Sequence, residues 1–154
     1  MTALAFEDWL ATPQGQYVLG WEMAKHDVLL ADVFGFNAVQ IGMPEHDYLR
    51  NNRMPFRFRC DTISSRESPC GVYTDIHQLP FAAQSVDLVL LPHILEFDDS
   101  PHQILREVER ILVPEGQVVI TGIRSMKTAD DASLTVDCSS CGRTQTHVRQ
   151  ASSS

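Results

Sequence analysis

Residues 86–120 read VDLVLLPHILEFDDSPHQILREVERILVPEGQVVI, and this stretch decides the fold. Residues 86–91 are a short apolar run, residues 104–112 carry apolar side chains at helical spacing, and residues 117–120 are rich in β-branched side chains. Ser100 and Pro101 predict the start of the helix, as its N-cap and its first residue. A strand, a helix and a second strand with short connections predict a right-handed crossover between parallel strands.

Three more runs predict strands on the N-terminal side of this unit. Residues 38–41 are apolar and end at Gly42, residues 54–59 alternate phenylalanine with arginine, and residues 70–73 end just before Asp75. Earlier still, residues 4–11 and 14–32 show helical spacing, with Thr12 as an N-cap between them. The predicted fold class is therefore α/β, a Rossmann-like three-layer sandwich with a mostly parallel sheet of about five strands, preceded by N-terminal helices.

The chain of 154 residues predicts one core with two flanking segments. Residues 1–35 form an N-terminal helical segment that packs on the domain, and residues 36–122 form the α/β core. Residues 123–154 hold few large apolar side chains and end in Ala-Ser-Ser-Ser, which is typical of a polar, partly disordered tail. If the tail supplies no strand, the sheet keeps an exposed edge through which a homo-oligomer could form.

Charge and composition limit the partners and the location. The formal net charge of −8 makes a nucleic-acid partner unlikely, because phosphates are bound by clustered Lys and Arg. No membrane-spanning run and no secretory signal are visible, so we expect a cytoplasmic protein. Cys138 and Cys141 have half the spacing of a zinc ribbon, but the chain has no second such pair, so we predict no metal site.

The candidate site follows from the predicted sheet. Open parallel sheets bind ligands beyond the carboxyl ends of their strands, near the point where the strand order reverses. The residues that follow the predicted strands are the candidates: Gly42, Asp61, Asp75, Pro92 and His93.

Two motifs resemble the class I S-adenosylmethionine-dependent methyltransferases, in particular the type 11 group. Residues 74–89 (TDIHQLPFAAQSVDLV) resemble the end of that family's third strand, its Leu-Pro-Phe turn and the start of its fourth strand. Residues 105–116 (LREVERILVPEG) resemble its following helix and proline-glycine turn. The resemblance covers residues 36–122 and implies a methyltransferase with S-adenosyl-L-methionine as cofactor. It names no methyl acceptor, which could be a small molecule or a protein, and no catalytic residue.

The resemblance also implies cofactor contacts. Gly42 matches the family's first loop glycine, beside the cofactor's methionine part. Asp61 matches the carboxylate that accepts from the ribose hydroxyls, and an ionised carboxylate can accept two such bonds. Asp75 matches the residue that meets the adenine amino group, and Ile76 matches the residue that packs on the ring. The pair Pro92 and His93 stands where the fourth strand opens into the site.

Each of these residues also has a structural interpretation. Gly42, Asp61 and Asp75 could be ordinary turn residues, and His93 and Glu96 could be structural rather than catalytic. The loop after Gly42 continues with Met43 and Pro44 instead of further glycines, which crowds the place where backbone would approach a ligand. The alternative prediction is thus a catalytically inactive, methyltransferase-like module for binding or scaffolding.

Overall fold

The computed structural model of the chain describes residues 3–62, 72–123, 132–137 and 148–149. Two helices come first, α1 (Ala3–Leu10) and α2 (Pro13–Ala31). The remaining elements follow in chain order: β1 (Asn37–Ile41), β2 (Phe56–Cys60), β3 (Val86–Pro92), a 3₁₀ turn (Leu95–Phe97), α3 (Pro101–Ile111), β4 (Leu112–Ile123), β5 (Ala132–Asp137) and β6 (Val148–Arg149).

The strands form one sheet in the order β2-β1-β3-β4-β5-β6. The first four run parallel to their neighbours, while β5 pairs antiparallel with β4 and β6 antiparallel with β5. From β1 the chain adds β2 on one side and then β3 on the other, so the strand order reverses between β1 and β3. The predicted Rossmann-like, mostly parallel sheet is confirmed.

Helices cover both faces of the sheet. Along β1, Ala38 points into a core shared with α1 and α2, whereas Val39 and Ile41 point into a second core shared with α3. In β3, Leu88 and Leu90 belong to the first core, and Val86, Val89 and Leu91 to the second. Strands buried on both faces are expected to be apolar throughout, and residues 86–91 fit this apart from one aspartate.

That aspartate joins the two central strands at their amino ends. The Asp87 carboxylate accepts hydrogen bonds from the N–H groups of Phe36 and Asn37, both at 3.0 Å. A Cβ on Gly35 would lie 2.6 Å from the Asp87 Cβ, so glycine is needed for this approach. The contact ties β1 to β3 at their amino ends.

The two predicted helix starts differ in how they are capped. The Thr12 hydroxyl accepts from the Gly15 N–H at 3.2 Å, as the sequence predicts for α2. At α3 the cap residue is Ser100, but its side chain makes no capping bond. Instead the Ser100 N–H donates to Asp98 Oδ1 at 2.7 Å, and its carbonyl accepts from the Gln103 N–H.

Two parts of the predicted sheet differ in the structure. Only Tyr73 of the predicted strand at 70–73 pairs, in a single parallel bridge with Asp61, and Cys70 and Gly71 lie outside the described residues. The sequence predicts no strand in the tail, whereas the structure has β5 and β6 there. The limits of the three predicted segments stay a prediction. None of the helices in the described part of the chain has the length and apolar content needed to cross a bilayer.

Candidate functional site

The carboxyl ends of β1 and β3 form the point at which an open parallel sheet binds ligands. Gly42 follows β1 and His93 follows β3, on adjacent strands. Three residues that leave these strands have left-handed backbone angles: Gly42 (φ 94°), Met43 (φ 47°) and His93 (φ 52°). Such angles are rare for residues other than glycine and are often found at functional sites.

A cavity of about 300 Å³ opens at this edge of the sheet. This volume is at the lower end of the range of about 300–1,000 Å³ for small-molecule sites. The walls combine apolar and aromatic side chains with carboxylates and histidines. The lining residues are Thr62, Tyr73, Asp75, Ile76, His77, His93, Ile94, Phe97 and Asp98.

The cavity brings together three of the six predicted site residues, Asp75, Ile76 and His93. The other three lie nearby but do not line it. Asp61 is 1% exposed at the end of β2, and its neighbour Thr62 lines the cavity instead. Pro92 is buried as the last residue of β3.

Asp75 and Asp98 hold His77 at the cavity wall. Asp75 Oδ1 accepts from the His77 N–H at 2.9 Å, and His77 Nε2 lies 3.0 Å from Asp98 Oδ1. The hydrogen bond to Asp98 raises the pKa of His77. Within the described residues Asp75 Oδ2 has no partner, so this oxygen is available to a donor from a ligand.

Gly42 is packed against protein rather than against open space. Its N–H donates to the Cys60 carbonyl at 2.8 Å. A Cβ added to Gly42 would lie 2.5 Å from Cδ1 of Ile94. Ile94 therefore occupies the space that glycine leaves at the end of β1.

Replacing Gly42 by alanine should lower the free energy of unfolding by about 2 kcal/mol, because the residue combines a positive φ with a steric overlap. Urea denaturation measures this loss. Gly20→Ala is the matched control: Gly20 lies within α2 with nothing near its added Cβ, so alanine should stabilise there by about 0.5–1 kcal/mol. Equal stability of the two variants would contradict the assigned strain.

His93 lies between two carboxylates from different elements. Its Nε2 is 3.0 Å from both oxygens of Glu22 on α2, and its Nδ1 is 2.6 Å from Glu96 Oε1. The side chains of His93 and Glu22 are each 1% exposed. Burial by itself lowers the pKa of His93, but the charge of Glu22 and the hydrogen bonds to Glu22 and Glu96 outweigh it and raise the pKa to about 9. His93 is therefore an imidazolium at neutral pH.

A second buried histidine lies behind this group and stays neutral. His26 Nδ1 donates to the Glu22 carbonyl at 2.7 Å, and its Nε2 accepts from the Thr121 hydroxyl at 3.1 Å. Burial, the largest influence, lowers the pKa of His26. The Tyr48 hydroxyl donates to Glu22 Oε2 at 3.4 Å, and burial raises the pKa of Tyr48.

The loop after β1 is folded back onto the protein. The Gln40 amide nitrogen donates to the carbonyls of Gly42, Met43 and His46, and its oxygen accepts from the Tyr48 N–H. Both Met43 and Tyr48 are buried. The phenyl ring of Phe6 in α1 lies 4.5 Å from the His93 ring. The crevice between β1 and β3 is thus covered by α1, α2 and this loop.

The second half of the core is similar to known sequences. Residues 59–120 match the family model described as "Methyltransferase domain". Over 60 residues the chain is 43% identical to the uncharacterized protein YafS of Escherichia coli, a match that covers 39% of this chain and 25% of the relative. The match to the family model contains both motifs, at 74–89 and 105–116.

Solved structures with the same sheet extend the likeness to most of the chain. A chain from the Haloferax volcanii complex of the Trm112 methyltransferase activator with a proposed methyltransferase matches with a TM-score of 0.57 at 25% identity. The match covers 76% of this chain and 58% of that one. Over residues 59–120 the chain is similar to the methyltransferase domain family, and its fold is similar to that of the methyltransferase structures that it matches.

Two further solved structures match at lower identity and support the fold alone. One is a proposed S-adenosyl-L-methionine-dependent methyltransferase from Methanococcus maripaludis, with a TM-score of 0.52 at 15% identity, over 65% of this chain and 54% of that one. The other is a proposed methyltransferase from Bacillus halodurans, with a TM-score of 0.54 at 16% identity, over 73% and 55%. The matches thus span only part of each relative: a quarter of YafS and just over half of the solved chains.

Sequence reasoning missed most of the buried polar network in this methyltransferase fold. Glu22, His26 and Tyr48 were not among the predicted site residues. One signal could have found two of them: along α2, Val18, Glu22, His26 and Leu30 follow at intervals of four, which places a carboxylate and an imidazole on the apolar face of the helix. Among the described residues no group of three His, Cys, Asp or Glu side chains is arranged so that it could hold a metal ion, and Cys138 and Cys141 lie outside those residues.

Proposed function

We propose that the chain is an S-adenosylmethionine-dependent methyltransferase whose cofactor places its adenosine part in the cavity beside Asp75. The observation that carries the proposal is the location of this cavity at the point where the strand order reverses, with Asp75, Ile76 and His93 in its wall. When bound, the cofactor supplies an activated methyl group on a positively charged sulfur.

The residues of the cavity suit an adenosine group. The free oxygen of Asp75 can accept from an adenine amino group, and Ile76, Ile94 and Phe97 offer apolar surface to a flat ring. Thr62 offers a hydroxyl next to Asp61 at the end of β2. In the proposed reaction these side chains bind and orient the cofactor and exclude water, and rate comes chiefly from holding the acceptor in line with the methyl group. The acceptor is a small molecule or a protein.

Calorimetry with S-adenosylmethionine and S-adenosylhomocysteine tests the proposal. We expect micromolar binding to the wild-type chain and at least a tenfold loss of affinity in Asp75→Ala, because the variant cannot accept from the adenine amino group. Asp99→Ala is the matched control, since Asp99 is exposed and does not line the cavity. Equal affinity of the two variants would exclude Asp75 from the site, and no binding at millimolar ligand would exclude the proposed cofactor.

A non-catalytic binding module is the second candidate. The closed crevice favours it, because Ile94, Met43 and the Glu22–His93 pair fill the region between Gly42 and the end of β3. With this region filled, the cavity would accept a nucleoside but leave no room for a methionine group. Binding of 5′-methylthioadenosine without binding of S-adenosylmethionine would identify the module.

A further inference from the structure

The cavity ends where the crevice between β1 and β3 should begin. His93 and Ile94 form its inner wall. On the far side of that wall, Glu22 is 1% exposed and Met43 is 6% exposed, so protein atoms fill the path to Gly42. A ligand longer than a nucleoside can therefore extend toward Gly42 only if this wall separates.

His93 is the centre of the wall, and four elements of the described part of the chain contact it. α2 supplies Glu22 and, behind it, neutral His26; the 3₁₀ turn supplies Glu96; α1 supplies the Phe6 ring. From β4, the Thr121 carbonyl accepts from the backbone N–H of His93 at 2.9 Å. This bond holds the backbone of His93 and does not involve its ring. The wall thus contains two carboxylates, and the His93 imidazolium is the positive charge that lies between them.

A cationic ligand would compete for these carboxylates. S-adenosylmethionine carries a positive sulfonium and an ammonium group. If its positive end enters beside Glu22, the carboxylate gains a new partner and no longer favours the charged form of His93. The ligand's cation and the imidazolium would repel each other across Glu22, and only Glu96 would still favour the charged form of His93, so the imidazole should give up its proton to the solvent as the ligand enters.

We propose that Glu22 and His93 form a latch that ties α2 to the end of β3, and that entry of the cofactor opens this latch and releases one proton from His93. This inference rests on the proposed function, because it concerns the same site. In it, Glu22 and His93 are positioning residues that couple ligand entry to proton release. Because the pKa of His93 is about 9 in the closed state, the imidazole carries that proton throughout the neutral range.

Calorimetry of S-adenosylmethionine binding in phosphate and in Tris at the same pH counts the released protons, since the two buffers differ in heat of ionisation. At pH 7.5 we expect close to one proton more from the wild-type chain than from Glu22→Gln. The wild-type affinity should also rise by up to about tenfold per pH unit between pH 7 and pH 9, because the bound form holds one proton fewer. Titration of the ligand's own amino group is common to both proteins and cancels in the difference.

Controls separate the latch from the cofactor site. Glu109→Gln removes an exposed carboxylate of α3 and should keep the wild-type proton count. If Glu22→Gln does not fold, His93→Gln takes its place, and it should bind the ligand without the extra proton. Wild-type binding with the same proton count as the variants would overturn the latch while leaving the proposed function intact. No binding by any of these proteins at millimolar ligand would overturn both.

Discussion

Glu22→Gln should lower the free energy of unfolding by about 3–5 kcal/mol at pH 7. The substitution keeps the shape of the side chain but removes its charge, so His93 loses the negative charge that lies 3.0 Å from its Nε2. Removing one member of a buried ion pair typically costs this much, because the remaining charge loses its buried partner, and here only Glu96 still faces His93. Chemical denaturation followed by tryptophan fluorescence measures the change, because Trp9 and Trp21 lie in the two N-terminal helices.

An exposed glutamate provides the comparison for this prediction. Glu109→Gln on α3 removes the same charge from the surface and should change stability by less than about 0.5 kcal/mol. Replacing both members of the pair is also informative. Glu22→Leu with His93→Leu removes both charges of the buried pair and should recover part of the loss, as apolar replacements of buried pairs often do. A Glu22→Gln protein as stable as Glu109→Gln would mean that the pair contributes nothing to folding.

The sheet could be predicted because its strands carry their own signal. A strand covered on both faces has to be apolar along its whole length, so residues 86–91 stand out from their surroundings. The helix after it has an apolar stripe and a proline at its first position. By contrast, residues 132–137 (ASLTVD) alternate apolar and polar side chains, which is the period of a half-buried strand, and they pair with β4 in the structure. The sequence analysis missed this strand because the run is short and lies in a stretch rich in Ser, Thr and Asp.

The candidate site could be predicted only where it follows the strands. Asp75, Ile76 and His93 are found from the ends of their strands or from the motif at 74–89, and all three line the cavity. Glu22 could not be found in this way, because it comes from a helix 71 positions before its partner and pairs with it only through the tertiary fold. Phe97 and Asp98 line the cavity because the 3₁₀ turn folds back over the end of β3, which no local pattern indicates.

The closed crevice explains why the loop after Gly42 continues with Met43 and Pro44 instead of further glycines. A loop built to bind a ligand through its backbone keeps its N–H groups free. Here the Gly42 and Tyr48 N–H groups are already bonded within the protein, and Pro44 has none. The loop therefore binds α2 and Gln40 in the described state. Any contact between this loop and a cofactor requires that the loop and the helix first come apart.

The Glu22–His93 pair should also be detectable without any ligand, in the pH dependence of the free energy of unfolding. The folded-state pKa of His93, about 9, is raised above its ordinary value of 6.5. A histidine shifted in this direction contributes its full stabilisation below pH 6.5 and loses it as the pH rises through 9. The shift corresponds to about 3 kcal/mol, so stability should fall by that amount between pH 6.5 and pH 9.5, with a steepest slope of about 1.4 kcal/mol per pH unit.

The other buried histidine, His26, affects stability in a different pH range. Burial lowers the pKa of His26, so His26 is neutral in both the folded and the unfolded chain above pH 6.5 and adds no slope there. Below pH 6.5 only the unfolded chain binds this proton, and stability falls as the pH falls. Urea midpoints should therefore be highest near pH 6.5 and decline on both sides. In Glu22→Gln the decline above pH 6.5 should be much smaller, because His93 then has no buried carboxylate on its Nε2. Parallel curves for the two proteins would show that His93 carries no extra proton in the folded chain, and the latch would then have no proton to release.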